Sequence, residues 1–559
     1  MNAPTSAPRS VPFFAETHEV DNVGRELADY NSYLADAALV EAVGREGAAH
    51  AHEGLAAFGN LVGSAGHIEQ GVAANRYPPE LDTHDRFGHR VDLVRFHPAY
   101  HALMRTSIEQ GLHASPWIEP CPGAHVARAA RCYLHTQVEA GHGCPITMTF
   151  AAVPTLRATP ALAQAWEPKV TARVYDPRNV PDAAKAGVTI GMAMTEKQGG
   201  SDVRGNTTRA LPIGSGGPGS PYELVGHKYF VSAPMSDAFL VLAQAPGGLS
   251  CFLLPRWRPD GTKNALHLIR LKRKMGNVSN ASAETELRGA LAWMVGEEGR
   301  GVRTIIEMVA MTRFDCIVGS AAGQRAAVAQ ALHHCALRTA FGRKLVDQPL
   351  MANVLADLAL EQEASLALAM RLARALDRRA DPHEDLVVRL LVPAGKYWVC
   401  KRTPALTYEA MECVGGSGVM EDGPFPRLFR ESPVNAIWEG SGNIQCLDVL
   451  RAMQRTPDVA HALFAELDAA KGANAALDRA TAALREALSD AAELEHRARG
   501  VVDRIALAFQ ASLLVRHAPA FVADAYCASR LAGAADRNFG TLPRGIDCAA
   551  IVRRATPHT

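Results

Sequence analysis

The chain has 559 residues, 48% of them hydrophobic, and its 58 Lys plus Arg balance its 58 Asp plus Glu. That length and apolar content suit several domains around a large core, and the neutral balance excludes a global field directed at nucleic acid or a membrane surface. The 11 cysteines show no Cys-x-x-Cys pairs or His-rich ligand spacing, and no run approaches the length of a membrane span, so a reduced cytoplasmic protein without disulfides or a metal site is expected.

Met1 to Phe14, with Pro4, Pro8 and Pro12, carries no apolar run of signal-peptide length. Up to about residue 185 the chain reads mainly as helix with proline-rich joints, such as Tyr77-Pro78-Pro79 and Ser115-Pro116-Trp117. Ala124 to Ala140 has an alanine-rich helical pattern that Gly141-His142-Gly143-Cys144-Pro145 breaks. From Val188 the texture becomes β-like: Val188–Met194, Tyr222–Ser232, Ala238–Gln244, Leu249–Leu254 and Ala265–Leu271 are short strand-like runs separated by Gly, Pro and Asp-Gly. Gly214-Ser215-Gly216-Gly217-Pro218-Gly219 fits the spacing of a dinucleotide fingerprint. It precedes a strand-like run rather than a helix, and Pro218 interrupts the N–H array, so it reads as a hairpin connection.

Helix resumes at about Val302 and runs to Arg338. His333-His334-Cys335 within it reads as packing and a wet face rather than a metal site. A longer helix follows Pro349, with Leu350, Val354 and Leu358 on one face, and Pro382, Pro393 and Pro404 are expected to punctuate later helices. After Pro457 an alanine- and arginine-rich helical segment reaches the end. The division expected is 1–186 (helical), 187–300 (β), 301–452 (helical) and 453–559 (helical, arginine-rich).

Two segments carry chemistry. In Ile437-Trp438-Glu439-Gly440-Ser441-Gly442-Asn443 a carboxylate stands between an indole and a glycine, a setting that shields it from water and suits a general base. Gly440 and Gly442 permit close approach of the backbone to a ligand, and Ser441 or Asn443 is placed to cap the following helix. In Thr195-Glu196-Lys197-Gln198-Gly199-Gly200-Ser201-Asp202, after a strand, paired glycines can form a concave anion site, with hydroxyls from Thr195 and Ser201. Each segment alone is also compatible with a plain polar turn.

Together these segments resemble the acyl-CoA dehydrogenase flavoproteins, with Lys197 in place of the usual proline. The wording Thr195 to Asp202, Met311-Thr312-Arg313-Phe314-Asp315-Cys316 and Ile437 to Asn443 is similar to the AidB-like branch, associated with the response to DNA alkylation. The resemblance runs from about Gly141 to Arg451. It implies a mainly α fold with a central β domain (helical, β-barrel-like, helical) plus an extra C-terminal helical domain.

It also implies FAD lying between the β domain and the second helical domain, in a homotetramer whose neighbouring subunit closes the site. Met192, Met194, Thr195, Gly200 and Ser201 would line the flavin, and Phe230, Val231 and Ser232 belong to a second contact segment, in which an aromatic and a hydroxyl would face the ring. Arg338 and Phe341 match the family's Arg-x-x-Phe-Gly stretch and Gln348 follows, Arg338 suiting a diphosphate. Ile437, Trp438, Gly440, Ser441, Gly442 and Asn443 would complete the cofactor contacts. Glu412 stands where the family has a glutamine, and an acid there has no N–H to give a phosphate. The implied reaction is α,β-dehydrogenation of an acyl-CoA at low activity, with Glu439 as the base. Thr312, at the alternative base position of some members, has no basic group. Arg313 beside Asp315 is read either as orienting the site or as an internal ion pair.

From Arg497 onwards the basic residues other than histidine are all arginine, opposed within that stretch only by Asp503, Asp524, Asp536 and Asp547. Arg497 and Arg504 are two helical turns apart. With Arg451 and Arg516 they are the candidate contacts to double-stranded DNA, through phosphates and without sequence preference. On the residues alone an assembly domain with arginines paired across subunits is the stronger reading, and the resemblance turns the balance towards DNA. Three functions remain open: a DNA-binding flavoprotein that protects against alkylation, an ordinary dehydrogenase of short or branched acyl-CoA with an oligomerising C-terminal domain, and a DNA-shielding protein with a structural flavin.

Overall fold

The computed structural model describes residues 17–558 except 491, 534 and 536, so the readings of Met1 to Phe14 and of Asp536 lie outside the described residues. Helices α1 (Ala37–Arg45), α2 (His52–Val62), α3 (Ala65–Arg76), α4 (Pro98–Glu109), α5 (Ser115–Ile118), α6 (Ala124–Val138), α7 (Gly143–Leu156) and α8 (Pro160–Val170) come first. A hairpin of β1 (Glu80–His84) and β2 (Arg90–Arg95), pairing Glu80 with Arg95 and Leu81 with Val94, interrupts them. The helical reading of this region missed that hairpin. Its tight turn at Asp85 to Gly88 and the alternation in Arg90-Val91-Asp92-Leu93-Val94-Arg95 are the signals that carried it.

The β region comprises β3 (Ile190–Ala193), β4 (Arg209–Pro212), β5 (Pro221–Ser232), β6 (Ala238–Ala245), β7 (Gly248–Pro255), β8 (Leu266–Leu271) and β9 (Ser282–Val295). β5 pairs with β9, β9 with β7, β7 with β6, and β4 joins β5 to β6, so these five strands close on themselves as a barrel. Closure removes edge strands. β3 and β8 flank the ring on β6 and β9. Gly214–Gly219 connects the antiparallel β4 and β5, the hairpin connection expected of it. Tyr222, Leu224, Phe239, Phe252 and Met294 fill the barrel core. β9 went unread because its apolar residues are interspersed with Glu284, Glu286 and Arg288, which makes the run look like a polar loop.

Three long helices, α9 (Gly301–Leu337), α10 (Pro349–Asp377) and α11 (Pro382–Glu412), build the second helical layer and pack on one another. Pro349 and Pro382 begin their helices, where the missing N–H costs nothing. Pro393 and Pro404, expected to separate helices, instead lie inside the continuous α11, where burial against α9 and α10 outweighs their local penalty. A hairpin of β10 (Thr339–Ala340) and β11 (Arg343–Lys344) joins α9 to α10. Then follow α12 (Phe425–Glu431), α13 (Val434–Ile437), α14 (Gly442–Arg455), α15 (Asp458–Asp468), α16 (Ala475–Ser489), α17 (Ala498–His517), α18 (Ala520–Tyr526) and α19 (Cys548–Ala555). No helix among the described residues is long and apolar enough to cross a membrane.

Candidate active site

α7 lies between β3 and α9, touching both. The Ile190 N–H at the start of β3 donates to Thr149 Oγ1 of α7 at 3.1 Å, which ties the barrel to the helical layer. At this junction arrives the turn between α13 and α14. Glu439 has φ +57° and Gly440 φ +93°, two successive left-handed residues that reverse the chain sharply. For a glutamate this conformation costs about 1–3 kcal/mol, so the surroundings must impose it. Gln445 Nε2 donates to the carbonyls of both Glu439 and Gly440 at 2.9 Å, and Arg313 Nε donates to the Glu439 carbonyl at 3.1 Å. Trp438 is fixed by its indole N–H, which donates to Asn435 Oδ1 at 2.8 Å. The half-buried Glu439 carboxylate turns towards α9, where Thr312 Oγ1 donates to its Oε2 at 2.7 Å. A Cβ on Gly440 would stand 2.8 Å from Gln445 Nε2, so the bracing amide also requires that glycine.

Arg313 does not pair with Asp315. Residues two apart on a helix point to different sides, and Arg313 meets Asp448 of α14 at 2.7 Å, while Asp315 takes the buried Arg128 of α6 in a two-pronged pair at 2.7 and 2.8 Å. Both ion pairs therefore tie α9 to a neighbouring helix, and the first stands beside the Glu439 carbonyl. The capping expectation also fails: Ser441 sits at the N-cap of α14 without a side-chain bond to it, and Asn443 Oδ1 accepts from Arg499 Nε at 2.9 Å.

The Thr195 segment follows β3. Glu196 turns inward, wholly buried, and pairs with the equally buried Lys228 of β5 at 2.8 Å. Burial raises its carboxyl, but Lys228 and the Thr207 and Thr208 donors outweigh this and hold it well below the usual range. Glu196 thus builds the turn, leaving Thr195 half-buried and Ser201 exposed. A Cβ on Gly200 would lie 2.4 Å from Thr195 Oγ1, so only glycine fits against that hydroxyl. Met192 and Met194 are half-buried against the main core.

On β5, Phe230 is 44% exposed and Ser232 Oγ lies 3.4 Å from Ser282 Oγ, whereas Val231 faces the barrel core at 1% exposure. The Val231 side chain therefore belongs to the barrel core. Cys144, at the start of α7, joins these parts. Burial pushes its thiol up to about 12, Lys274 and a hydrogen bond from Ser232 oppose this, and the Glu439 and Glu431 carboxylates add to it. Gln445, Cys144 and Lys274 escape a reading of the sequence because they belong to neither chemistry-bearing segment.

Arg338, Phe341 and Gln348 stand elsewhere. Arg338 caps the C-terminus of α9, which places it roughly 40 Å from Thr312 along one continuous helix at about 1.5 Å per residue. Phe341, at φ +52° and 98% exposed, is the tip of the β10–β11 hairpin. Gln348 Nε2 holds that hairpin through the Ala340 carbonyl at 2.9 Å, and Arg338 reaches the Asn22 carbonyl at 2.6 Å. One chain therefore gathers Ser232, Thr312 and Glu439 at one place and presents Arg338 and Phe341 at another. Ile437 is 67% exposed.

The arginine-rich end is far less basic in space than in sequence. Arg516 pairs with Glu466 at 3.4 Å, Arg497 with Asp490 at 3.1 Å, Arg530 with Asp357 and Glu361, and Arg554 with Glu41 and Glu363. Most of these carboxylates come from distant segments, which is why a local charge count misses them. Arg451 is half-exposed and 3.6 Å from Asp448. Arg504 is exposed.

The comparisons with known proteins agree with this architecture. Residues 22–177 match the Adaptive response protein AidB N-terminal domain, 191–290 the acyl-CoA dehydrogenase middle domain, and 299–454 the acyl-CoA dehydrogenase C-terminal domain. The chain is 48% identical to the putative acyl-CoA dehydrogenase AidB of Escherichia coli K12, over 92% of its own length and 94% of the relative's. The crystal structure of Caenorhabditis elegans ACDH-11 in complex with C11-CoA superposes with a TM-score of 0.83 at 26% identity, covering 98% of this chain and 95% of that one. The Bd2924 apo-form superposes with a TM-score of 0.80 at 27% identity, covering 90% and 99%. With the closed barrel between helical layers and the braced Glu439 turn, these matches establish that the chain belongs to the AidB-like branch of the acyl-CoA dehydrogenase family.

Proposed function

We propose that this protein is an FAD-dependent oxidoreductase that takes an acyl-CoA, with Glu439 as the base that removes the α-proton. The observation that carries this reading is the Glu439 carboxylate, fixed by the Thr312 hydroxyl at 2.7 Å at the junction of barrel and helical layer. The residues fit the cofactor. Gly200 clears a surface beside Thr195 Oγ1 that any Cβ would fill, and Ser201 adds an exposed hydroxyl. Arg338 offers a planar fork suited to a diphosphate. FAD bound there supplies the acceptor for the β-hydrogen. Thr312 orients the carboxylate through Oε2, and Gln445 and Arg313 hold its backbone. Glu439 Oε1, the other carboxylate oxygen, is the one that receives the proton. Pre-set geometry of this kind supplies much of an enzyme's advantage.

Because α9 separates Arg338 and Phe341 from Glu439, they would serve the site of a second copy, which makes an oligomer part of the proposal. A related protein whose structure carries C11-CoA supports the thioester class. The test is to purify the chain, record its flavin spectrum and assay acyl-CoA oxidation with an artificial electron acceptor. A colourless protein that takes up no added FAD refutes the reading.

A second activity, sequence-independent binding of duplex DNA, is favoured by the exposed Arg504 on α17 and the half-exposed Arg451 on α14, two helices in direct contact. The match of the N-terminal domain to that of an adaptive response protein is in keeping with it. Gel-shift titration on duplex DNA at two salt concentrations tests it.

A further inference from the structure

Lys396 belongs to no motif near the base, yet its ammonium lies beneath the Glu439 turn. It sits in the middle of α11, 1% exposed, and Nζ donates to the carbonyls of Asn435 at 2.9 Å, Trp438 at 2.8 Å and Gly440 at 2.9 Å. An ammonium has three N–H bonds, and all three are spent on this one turn. Two of the accepting carbonyls belong to the residues immediately before and after Glu439. No carboxylate lies within ion-pair distance of it among the described residues, so the buried charge is balanced by backbone dipoles. The Cys316 thiol, one helical turn beyond Thr312 on α9, feels both Lys396 and Glu439, which places the two charges around one point.

We infer that Lys396 is the positioning residue of the base: it gathers the Asn435, Trp438 and Gly440 carbonyls and so forces Glu439 into the left-handed conformation that aims its carboxylate at Thr312. The geometry explains why three separate anchors are needed. Asn435 O is in the last turn of α13, Trp438 O precedes the reversal and Gly440 O follows it, so one point below the turn fixes entry, apex and exit together. Gln445 and Arg313 brace the same turn through the Glu439 and Gly440 carbonyls, but neither reaches the entry side. A lysine suits the task because its tetrahedral head can point three bonds at converging carbonyls, which a planar guanidinium cannot. This inference rests on the reading of Glu439 as the base.

The test compares wild type with Lys396→Met, which keeps the stem and removes the ammonium, and Lys396→Gln, which keeps two N–H bonds. FAD content, kcat and KM for an acyl-CoA, and amide hydrogen exchange of residues 435–440 are measured on the full chain. In Lys396→Met, kcat should fall on the order of 100-fold, the scale of a roughly 1 Å misplacement, with KM and flavin content within about threefold of wild type and exchange faster at 435–440 alone. Lys396→Gln should recover part of the loss. Unchanged kcat and exchange in either variant overturn the assignment, as does an equal loss of flavin and kcat, which marks a purely structural role. If Lys396→Met does not fold, the Gln variant decides by the same criteria. If wild type oxidises no acyl-CoA, the reading of Glu439 as base fails by itself, and exchange at 435–440 still decides whether Lys396 sets the turn.

Discussion

The Thr312 hydroxyl and the Glu439 carboxylate, 127 residues apart in the chain, meet at 2.7 Å and join the N-terminal half of α9 to the turn before α14. A hydroxyl that donates to one carboxylate oxygen leaves the other for a substrate proton. Glu439→Gln should therefore abolish acyl-CoA oxidation while flavin content stays at wild-type level, because glutamine keeps the volume and loses the basic oxygen. Thr312→Val keeps the shape and removes only the donor, so kcat should drop by roughly tenfold, with less effect on KM, in keeping with the loss of about one hydrogen bond. Steady-state kinetics of both variants, with flavin absorbance as the control, make the check.

Glu196→Gln tests how the turn before Ser201 is built. It leaves the Lys228 ammonium, 1% exposed, without its carboxylate, and breaking a buried pair in this way costs roughly 3–5 kcal/mol. The loss should appear in chemical denaturation, and flavin retention should fall with it because Thr195 and Ser201 are carried on the same turn. A stable variant with a full complement of flavin would separate the ion pair from the cofactor surface.

What is legible in the sequence follows from how local each signal is. The Glu439 turn and the Gly200 turn are readable because glycine, a lone carboxylate and hydroxyls appear there within a few residues. The partners that make those turns work come from far away: Lys396 from α11, Lys228 from β5, and Thr312, whose lack of basicity is plain from the sequence while its hold on the carboxylate is not. Arg313 and Asp315 look like a pair in sequence, but helical geometry sends the two side chains to different helices. The same error of locality makes the C-terminal stretch look basic, since Glu466, Asp357, Glu361, Glu41 and Glu363 lie outside it. Pro393 and Pro404 mislead in the opposite direction, where a strong local rule yields to burial along a 31-residue helix.

Glu431 predicts a pH dependence of stability. It is half-buried on α12, its Oε2 accepts the Asn277 N–H at 2.5 Å, and desolvation lifts its carboxyl to about 7, with Glu139 adding to the rise and Arg427 and Lys274 opposing it. The folded chain thus holds a proton that the unfolded chain releases near the ordinary value of 4.5. The stability this proton brings is fully present below about pH 4.5 and is lost as pH rises to about 7. Glu431→Gln keeps an acceptor and does not titrate, so it should be more stable than wild type at pH 8, by up to roughly 3 kcal/mol, and nearly equal to it at about pH 4. Denaturant titrations at both pH values read the difference, and an equal offset at the two would remove Glu431 as its source.

The C-terminal arginines separate into two kinds, and the separation is testable. Arg516 is only 21% exposed and holds Glu466, which also receives the buried Arg371 at 2.6 Å. Its replacement by alanine removes part of an internal network and should lower stability by about 1–2 kcal/mol. Arg504 is exposed on α17, and its replacement should leave stability within about 0.5 kcal/mol of wild type. If the surface of α14 and α17 binds duplex DNA, Arg504→Ala with Arg451→Ala should weaken binding to all duplex sequences alike. The plot of log affinity against log salt should flatten by about 0.9 for each phosphate that is no longer neutralised. Arg497, held by Asp490 and by the Asp490 and Ala492 carbonyls, should contribute less than Arg504. Unaltered duplex affinity in the Arg451/Arg504 double variant, with a change of oligomeric state in its place, would assign these arginines to the packing of subunits rather than to DNA.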